Sequence, residues 1–130
     1  LLKQMNGSPR LQIATNGSHR KEDWWQRTGE ILDKRDMVIF GVDGLEDTNH
    51  LHRKNADWDS IMTGIKTLRK HSKCQIRWQW ILFRHNEHQL REAHALANDL
   101  GVDNFVIVQS FREIEEQPSM SLDEAQRMIL

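Results

Sequence analysis

The sequence predicts an α/β domain built on a parallel β-sheet, and three observations support this fold class. Short apolar segments alternate with longer segments whose apolar residues recur at helical spacing, in the order β-α-β-α-β-α-β. Strands that are separated by helices need crossover connections, which favour parallel neighbours. The segment 37–42 is almost continuously apolar, as is typical of a strand that is covered on both faces. Because four strands do not close a barrel, the sheet is either open or part of a larger (β/α) barrel.

The periodicity places four strands and three main helices along the chain. The predicted strands are residues 11–14, 37–42, 75–83 and 105–108, and the predicted helices are residues 23–34, 58–71 and 86–100. In the first helix we expect Trp24, Ile31 and Leu32 to face the core. Asn86 and Gln89 have the spacing of a capping box for the third helix. Further helical turns are predicted at residues 1–5 and after residue 121, where a second capping box opens a short terminal helix.

Residues 75–83 alternate in character, so this strand has two different faces. Trp78 and Trp80 lie on one face, whereas Arg77 and Gln79 lie on the other. If the tryptophans pack under helices, Arg77 points into the barrel interior, where it needs a polar channel or a bound carboxylate. The opposite assignment leaves Arg77 outside, with its aliphatic stem between helices. We favour the first arrangement.

Composition excludes several classes of function. The formal net charge of −1 argues against binding to nucleic acid or to a membrane surface, because such binding needs a strong basic excess. No apolar run approaches the roughly 20 residues that span a bilayer. With Cys74 as its single cysteine, the chain has no internal disulfide, which indicates a reducing, cytoplasmic compartment. The sequence begins at Leu1 and stops after an apolar run, and we therefore expect it to be a fragment.

Polar residues follow every predicted strand. Thr15 and Asn16 follow the first strand, Asp43 the second and Asn86 the third. Ligands of parallel α/β sheets bind where the carboxyl ends of the strands meet, at one edge of the sheet. The sequence therefore predicts a ligand site at this edge.

Four short motifs occur in a fixed order along the chain. They are Ile13-Ala14-Thr15-Asn16-Gly17, Val42-Asp43-Gly44, an Arg53-bearing loop before Trp58-Asp59-Ser60-Ile61-Met62, and Phe83-Arg84-His85-Asn86-Glu87-His88. In this order they resemble the third to fifth β/α units of radical S-adenosylmethionine (SAM) enzymes. The resemblance covers residues 11–112, so residues 1–112 are interpreted as a partial radical SAM-like β/α domain. Residues 113–130 are interpreted as a polar linker and a short terminal helix.

The resemblance implies a partial (β/α) barrel with two cofactors, SAM and a [4Fe–4S] cluster. Reductive cleavage of SAM then gives a 5′-deoxyadenosyl radical that abstracts hydrogen from the substrate. The family binds its cluster through a Cys-x-x-x-Cys-x-x-Cys loop, which this sequence lacks, and Cys74 alone cannot replace three thiolates. We expect that loop and the family's glycine-rich segment upstream of Leu1. The chain by itself should be inactive, and we assign no catalytic residue in it.

The resemblance also implies the residues that bind the cofactor. Asp43 stands near the ribose hydroxyls, where a carboxylate can accept two hydrogen bonds from a diol. Arg53 matches the arginine that pairs with the SAM carboxylate. The complete predicted cofactor-binding set is Thr15, Asn16, Asp43, Arg53, Gln79 and Asn86.

The remaining expectations concern metals, substrate and alternative functions. His85 and His88 are too few ligands to define a metal site, and we predict none. The substrate is unknown, and similar members of the family suggest a peptide. One alternative is a non-catalytic module, a degenerate barrel that binds a nucleotide-like ligand or a protein. Another is an unrelated α/β protein with an open, flavodoxin-like sheet.

Overall fold

A computed structural model describes residues 10–110 and 117–130 of the chain, and the predicted helical turn at residues 1–5 lies outside this range. The described part contains one four-stranded sheet with helices between its strands. In chain order the elements are β1 (Gln12–Thr15), α1 (Glu22–Ile31), β2 (Met37–Gly41), α2 (Asn49–His52), α3 (Trp58–His71), β3 (Gln75–Leu82), a 3₁₀ turn (Glu87–Gln89), α4 (Leu90–Leu100), β4 (Asn104–Gln109) and α5 (Leu122–Met128).

Each strand pairs in parallel with the next strand along the chain, which confirms the predicted α/β class. The register places Ala14, Ile39 and Arg77 in one row across the sheet. Gly41 and Gln79 are neighbours in the row nearer the carboxyl ends of the strands. Because the strand order never reverses, crossovers of one hand place their helices on the same face of the sheet. In agreement with this, α1 packs on α3, α3 on α4, and α4 on α5.

The two faces of the sheet differ in burial. Trp78 and Trp80 are fully buried among the core side chains on the helix-covered face, and the Trp78 Nε1–H donates to the Val42 carbonyl oxygen at 2.8 Å. Arg77 and Gln79 alternate with them and are only half-buried on the opposite face, which we call the open face. The tryptophans therefore pack under the helices, as in the arrangement that we favoured, and Arg77 lies on the other face of the sheet.

Two of the three residues that were predicted to face the core from α1, Trp24 and Ile31, are not buried. Trp25, Gly29 and Leu32 are buried, whereas Trp24 is half-buried and Ile31 is 52% exposed. The prediction rested on the helical spacing of Trp24, Ile31 and Leu32, but the face of α1 that contacts α3 contains Trp25 and Gly29.

The terminal helix α5 packs on β4 and α4. Ala125 is fully buried, and Met120 and Leu122 contact the same core as the sheet. The Ser121 side chain accepts a hydrogen bond from the Glu124 N–H at 3.1 Å, which confirms the predicted cap. Helix α5 thus follows β4 in the layer formed by the other helices. No helix in the described ranges is both long and apolar enough to cross a bilayer.

Gly64 makes room on α3 for Trp25 of α1. A Cβ atom at position 64 would lie 2.7 Å from Trp25 Cε2, and the indole is too deeply buried to swing away. We expect Gly64→Ala to lower the free energy of unfolding by ~1–2 kcal/mol, because overpacking outweighs the gain in helix propensity. Urea denaturation measures this change.

Gly29→Ala is the matched control, since a Cβ atom there would meet Ser72 Cβ at 3.3 Å and Leu68 Cδ1 at 3.4 Å. It should stay within about 0.5 kcal/mol of the wild type or be more stable, because little has to move. If both alanine variants were as stable as the wild type, the proposed role of Gly64 would be wrong.

Candidate ligand-binding site

A cavity of about 330 Å³ lies where β1, β2 and β3 end. The register places its wall residues Ile39, Gly41 and Gln79 on the open face of the sheet. Four of the six predicted site residues line it together. The complete lining consists of Ala14, Thr15, Asn16, Ile39, Gly41, Arg53 and Gln79. Of the polar residues that follow the predicted strands, Thr15 and Asn16 line this cavity, whereas β2 and β3 contribute Ile39, Gly41 and Gln79 from within the strands.

The guanidinium of Arg53 is fixed over the backbone of Gly41. Its Nε–H donates to Asp43 Oδ2 at 2.9 Å. A Cβ atom at Gly41 would lie 2.5 Å from Arg53 Nη2, so this close approach requires glycine. None of the described residues accepts a hydrogen bond from the two Nη groups. Arg53 therefore offers the cavity a positioned pair of donors, which suits a carboxylate.

The carboxylate of Asp43 is completely buried and lies behind Arg53. Its Oδ1 accepts from the Ile81 N–H at 2.8 Å, and its Oδ2 accepts from Arg53. His52 Nε2 lies 3.9 Å from the same Oδ2. Asp43 is not among the residues that line the cavity. It positions Arg53, and its predicted contact with a ribose stays a prediction.

Asn86 connects the end of β2 to the end of β3. Its side chain is fully buried, and Nδ2 donates to the carbonyl oxygens of Asp43 at 3.0 Å and Ile81 at 2.8 Å. Its Oδ1 accepts from the Phe83 N–H at 2.9 Å. The predicted capping box is wrong, because Asn86 makes no side-chain cap and a 3₁₀ turn precedes α4. Like Asp43, Asn86 supports the site from behind and does not line the cavity.

The sequence analysis predicted neither the short helix α2 nor the structural role of Gln89. The Gln89 side chain is buried, accepts from the Leu45 N–H at 3.2 Å and the Thr48 hydroxyl, and donates to Asp47 Oδ1 at 2.7 Å. Asn49, the first residue of α2, accepts from the Asp43 N–H at 2.8 Å. These bonds hold the segment before Arg53 against the end of β3. The polar composition of the segment before Arg53 predicted a loop. The structural role of the Asn49 and Gln89 side chains is visible only from their burial in the structure.

The first turn after β1 completes the edge of the cavity. Thr15 Oγ1 accepts from the Gly17 N–H and Asn16 Oδ1 accepts from the Ser18 N–H, each at 3.0 Å. Both side chains keep their donor groups for other partners, since only their oxygens are used as acceptors in these bonds. The Thr15-Asn16-Gly17 segment thus has a local structural role and also lines the cavity.

A second cavity, of about 580 Å³, lies around the segment that follows Arg53. Its wall includes the acidic residues Glu46, Asp57 and Asp59 and the basic residue Lys54. Hydrogen bonds from the Ser60 hydroxyl and backbone N–H lower the pKa of Asp57, which caps α3. None of the predicted site residues lines this cavity.

Cys74 does not fit an iron–sulfur site. The side chain is fully buried just before the amino end of β3, whereas the cavity lies at the carboxyl ends of the strands. Burial raises the pKa of the Cys74 thiol, and cluster ligands must be thiolates. Within residues 10–110 and 117–130, no three His, Cys, Asp or Glu side chains are arranged to hold a metal ion. Cluster ligands would have to come from residues outside this sequence.

Comparison with known proteins adds no further assignment. No protein-family model matches the chain, and no curated protein matches its sequence. The functional interpretation therefore depends on the motif order and on the geometry of the cavity.

Proposed function

We propose that this chain is the carboxy-terminal part of a radical SAM enzyme barrel and that its cavity binds the methionine moiety of SAM. The observation that carries the proposal is the joint position of Thr15, Asn16, Arg53 and Gln79 around one cavity. Two of the four motifs that resemble the family contribute polar residues to this cavity, Thr15 and Asn16 from the first motif and Arg53 from the third. The parallel, sequential strand order is compatible with a slice of such a barrel.

The residues of the cavity fit the charged end of SAM. Arg53 carries two Nη groups without described partners, and a carboxylate can accept from both. Asn16 and Gln79 add amide groups that can donate and accept at the same edge. Ala14 and Ile39 provide an apolar surface for the rest of the ligand. Asp43 contributes by holding Arg53 in place.

The radical chemistry of the family comes from SAM and a [4Fe–4S] cluster when both are bound. Within this division of labour, the chain binds and orients SAM, and the cluster ligands lie outside the sequence. The proposed substrate class is a peptide, by analogy with similar members of the family. Since Cys74 alone cannot supply the three thiolates of a cluster site, we assign no catalytic residue in the chain.

The binding proposal is tested by comparing SAM with 5′-methylthioadenosine, which has the same nucleoside but lacks the amino-acid carboxylate. Arg53→Met should weaken SAM binding about tenfold or more, because a charge-assisted hydrogen-bond pair is lost. Binding of methylthioadenosine should not change. Equilibrium dialysis measures both affinities, and Arg35→Met is the control because Arg35 pairs with Asp33 on the surface at 3.2 Å.

A second variant tests the position of the guanidinium without removing Arg53, because removal also breaks the bond between Arg53 and Asp43. Gly41→Ala keeps the arginine but places a Cβ atom 2.5 Å from its Nη2, so the guanidinium must move. It should weaken SAM binding without unfolding the sheet, because the displaced atoms belong to a flexible side chain. Equal effects on SAM and methylthioadenosine, or no binding of SAM to the wild type, would show that the proposal is wrong.

The alternative is a non-catalytic binding module that keeps the cavity without a cluster. The burial of the single cysteine favours this reading. Anaerobic reconstitution of the natural protein with iron and sulfide separates the two functions. A reduced [4Fe–4S] signal in electron paramagnetic resonance, together with cleavage of SAM, supports the enzyme. SAM binding without a cluster supports the module.

A further inference from the structure

Arg77 is the one charged residue among the described strand residues of the open face. It lies between Ile39 of β2 and Asn104 of β4 in the same row of the sheet. Its Nε atom is buried, and none of the residues that the structure describes accepts a hydrogen bond from it. Gln79, which lines the cavity, lies two residues further along the same strand and on the same face.

The fold gives Arg77 no structural role that accounts for its charge. A buried N–H without an acceptor destabilises the fold more than an apolar side chain of the same length would at this position. Arg69 is an example of an arginine with a structural role in this chain. Its guanidinium donates to Asp103 and to the carbonyl oxygens of Gly101, Ser72 and Cys74. Arg77 is half-buried, and its buried Nε has no such acceptor among the described residues.

We propose that Arg77 binds a carboxylate of the substrate, beside the cavity that holds Arg53. The identification of this ligand as the substrate rests on the proposed function. A guanidinium binds a carboxylate through parallel hydrogen bonds, and the two Nη groups of Arg77 are not among the buried atoms that lack a partner. Of the nearest residues on this face, Ile39 is apolar, whereas Asn104, Gln75 and Gln79 are polar and uncharged. The preferred ligand is therefore a molecule that carries one carboxylate and no other charge.

The test uses hexanoate as the probe and hexanamide as its neutral counterpart. In ¹H–¹⁵N spectra of the wild-type protein, the Arg77 Nε–H signal should shift saturably with hexanoate and stay in place with hexanamide. Arg77→Met should weaken hexanoate binding about tenfold or more. Arg91→Met is the control, because Arg91 is exposed on α4. A signal that responds equally to hexanoate and to hexanamide would overturn the proposal.

A blocked peptide with one glutamate, compared with its glutamine counterpart, distinguishes a peptide carboxylate from that of a free acid. Whichever of hexanoate and the glutamate peptide binds Arg77 more tightly identifies the source, and failure of both overturns the site.

Dialysis against SAM separates this inference from the proposed function. Arg77→Met should bind SAM as the wild type does, because Arg77 does not line the cavity. If hexanoate binds but SAM does not, the proposed function fails and the carboxylate site stands. If SAM binds but neither carboxylate does, only the inference about Arg77 fails.

Discussion

Asp43→Ala should lower the free energy of unfolding by about 3 kcal/mol, because a fully buried carboxylate with two partners is removed. The Ile81 N–H and the Arg53 Nε–H would both lose their acceptor. Each unsatisfied buried donor costs about 1–3 kcal/mol. Arg53 is partly exposed, so water can replace part of its loss, and the estimate lies below the sum of the two upper limits. Urea denaturation measures the change.

Two further variants make this expectation specific. Asp99→Ala is the control, because Asp99 is an exposed carboxylate on α4, and its loss should cost less than about 0.5 kcal/mol. Asp43→Asn keeps an oxygen that can accept from the Ile81 N–H but loses the charge that pairs with Arg53. Its stability should fall between those of the wild type and Asp43→Ala. If Asp43→Ala were as stable as the Asp99 variant, the bonds around Asp43 would not be structural.

The fold was predictable where the local pattern and the tertiary environment agree. Helix α3 begins and ends at Trp58 and His71 as predicted, because Asp57 caps it and Ile61, Ile65 and Leu68 form one buried stripe. The parallel order followed from helices between apolar strands. In α1 the pattern was ambiguous, because two adjacent tryptophans offered two possible faces. The close contact at Gly29, which has no apolar side chain to reveal it, decided between them.

The candidate site was predictable in part, for a related reason. Thr15 and Asn16 lie at the end of β1, Gln79 lies within β3 and Arg53 belongs to a motif loop, and the parallel sheet brings them together. The spacing of Asn86 and Gln89 matched a capping box, but both side-chain amides form hydrogen bonds to residues that are distant in sequence. Asn86 bonds to a carbonyl 43 residues away in sequence. Side chains that can cap a helix can equally bond to distant backbone, and spacing alone does not distinguish the two outcomes.

Gly44→Ala is the other substitution for which we expect a large effect. Gly44 has φ +156°, and a Cβ atom there would lie 2.6 Å from the Asn49 backbone nitrogen and 2.7 Å from the Thr48 carbonyl carbon. These are backbone atoms, so no side-chain rotation can relieve the clash. We expect a loss of about 3 kcal/mol in the free energy of unfolding, measured by urea denaturation, from backbone strain and displacement of α2.

Gly101→Ala is the matched control, since Gly101 also has a positive φ, +81°, at the end of α4. A Cβ atom there would meet side-chain atoms of Arg69 and no backbone, so the cost, from the positive φ and from a small shift of Arg69, should be about 2 kcal/mol, below that of Gly44→Ala. Equal losses in the two variants would mean that φ alone matters and that the contact with residues 48 and 49 does not.

The functional consequence of Gly44→Ala follows from the same contacts. Displacement of Asn49 removes its bond to the Asp43 N–H and disturbs the segment that carries Arg53. At temperatures where both glycine variants are folded, Gly44→Ala should bind SAM at least about tenfold more weakly, whereas Gly101→Ala should bind it normally. If Gly44→Ala bound SAM as the wild type does, Arg53 would not need the fixed path from β2. Its placement over Gly41 would then not be what selects the ligand.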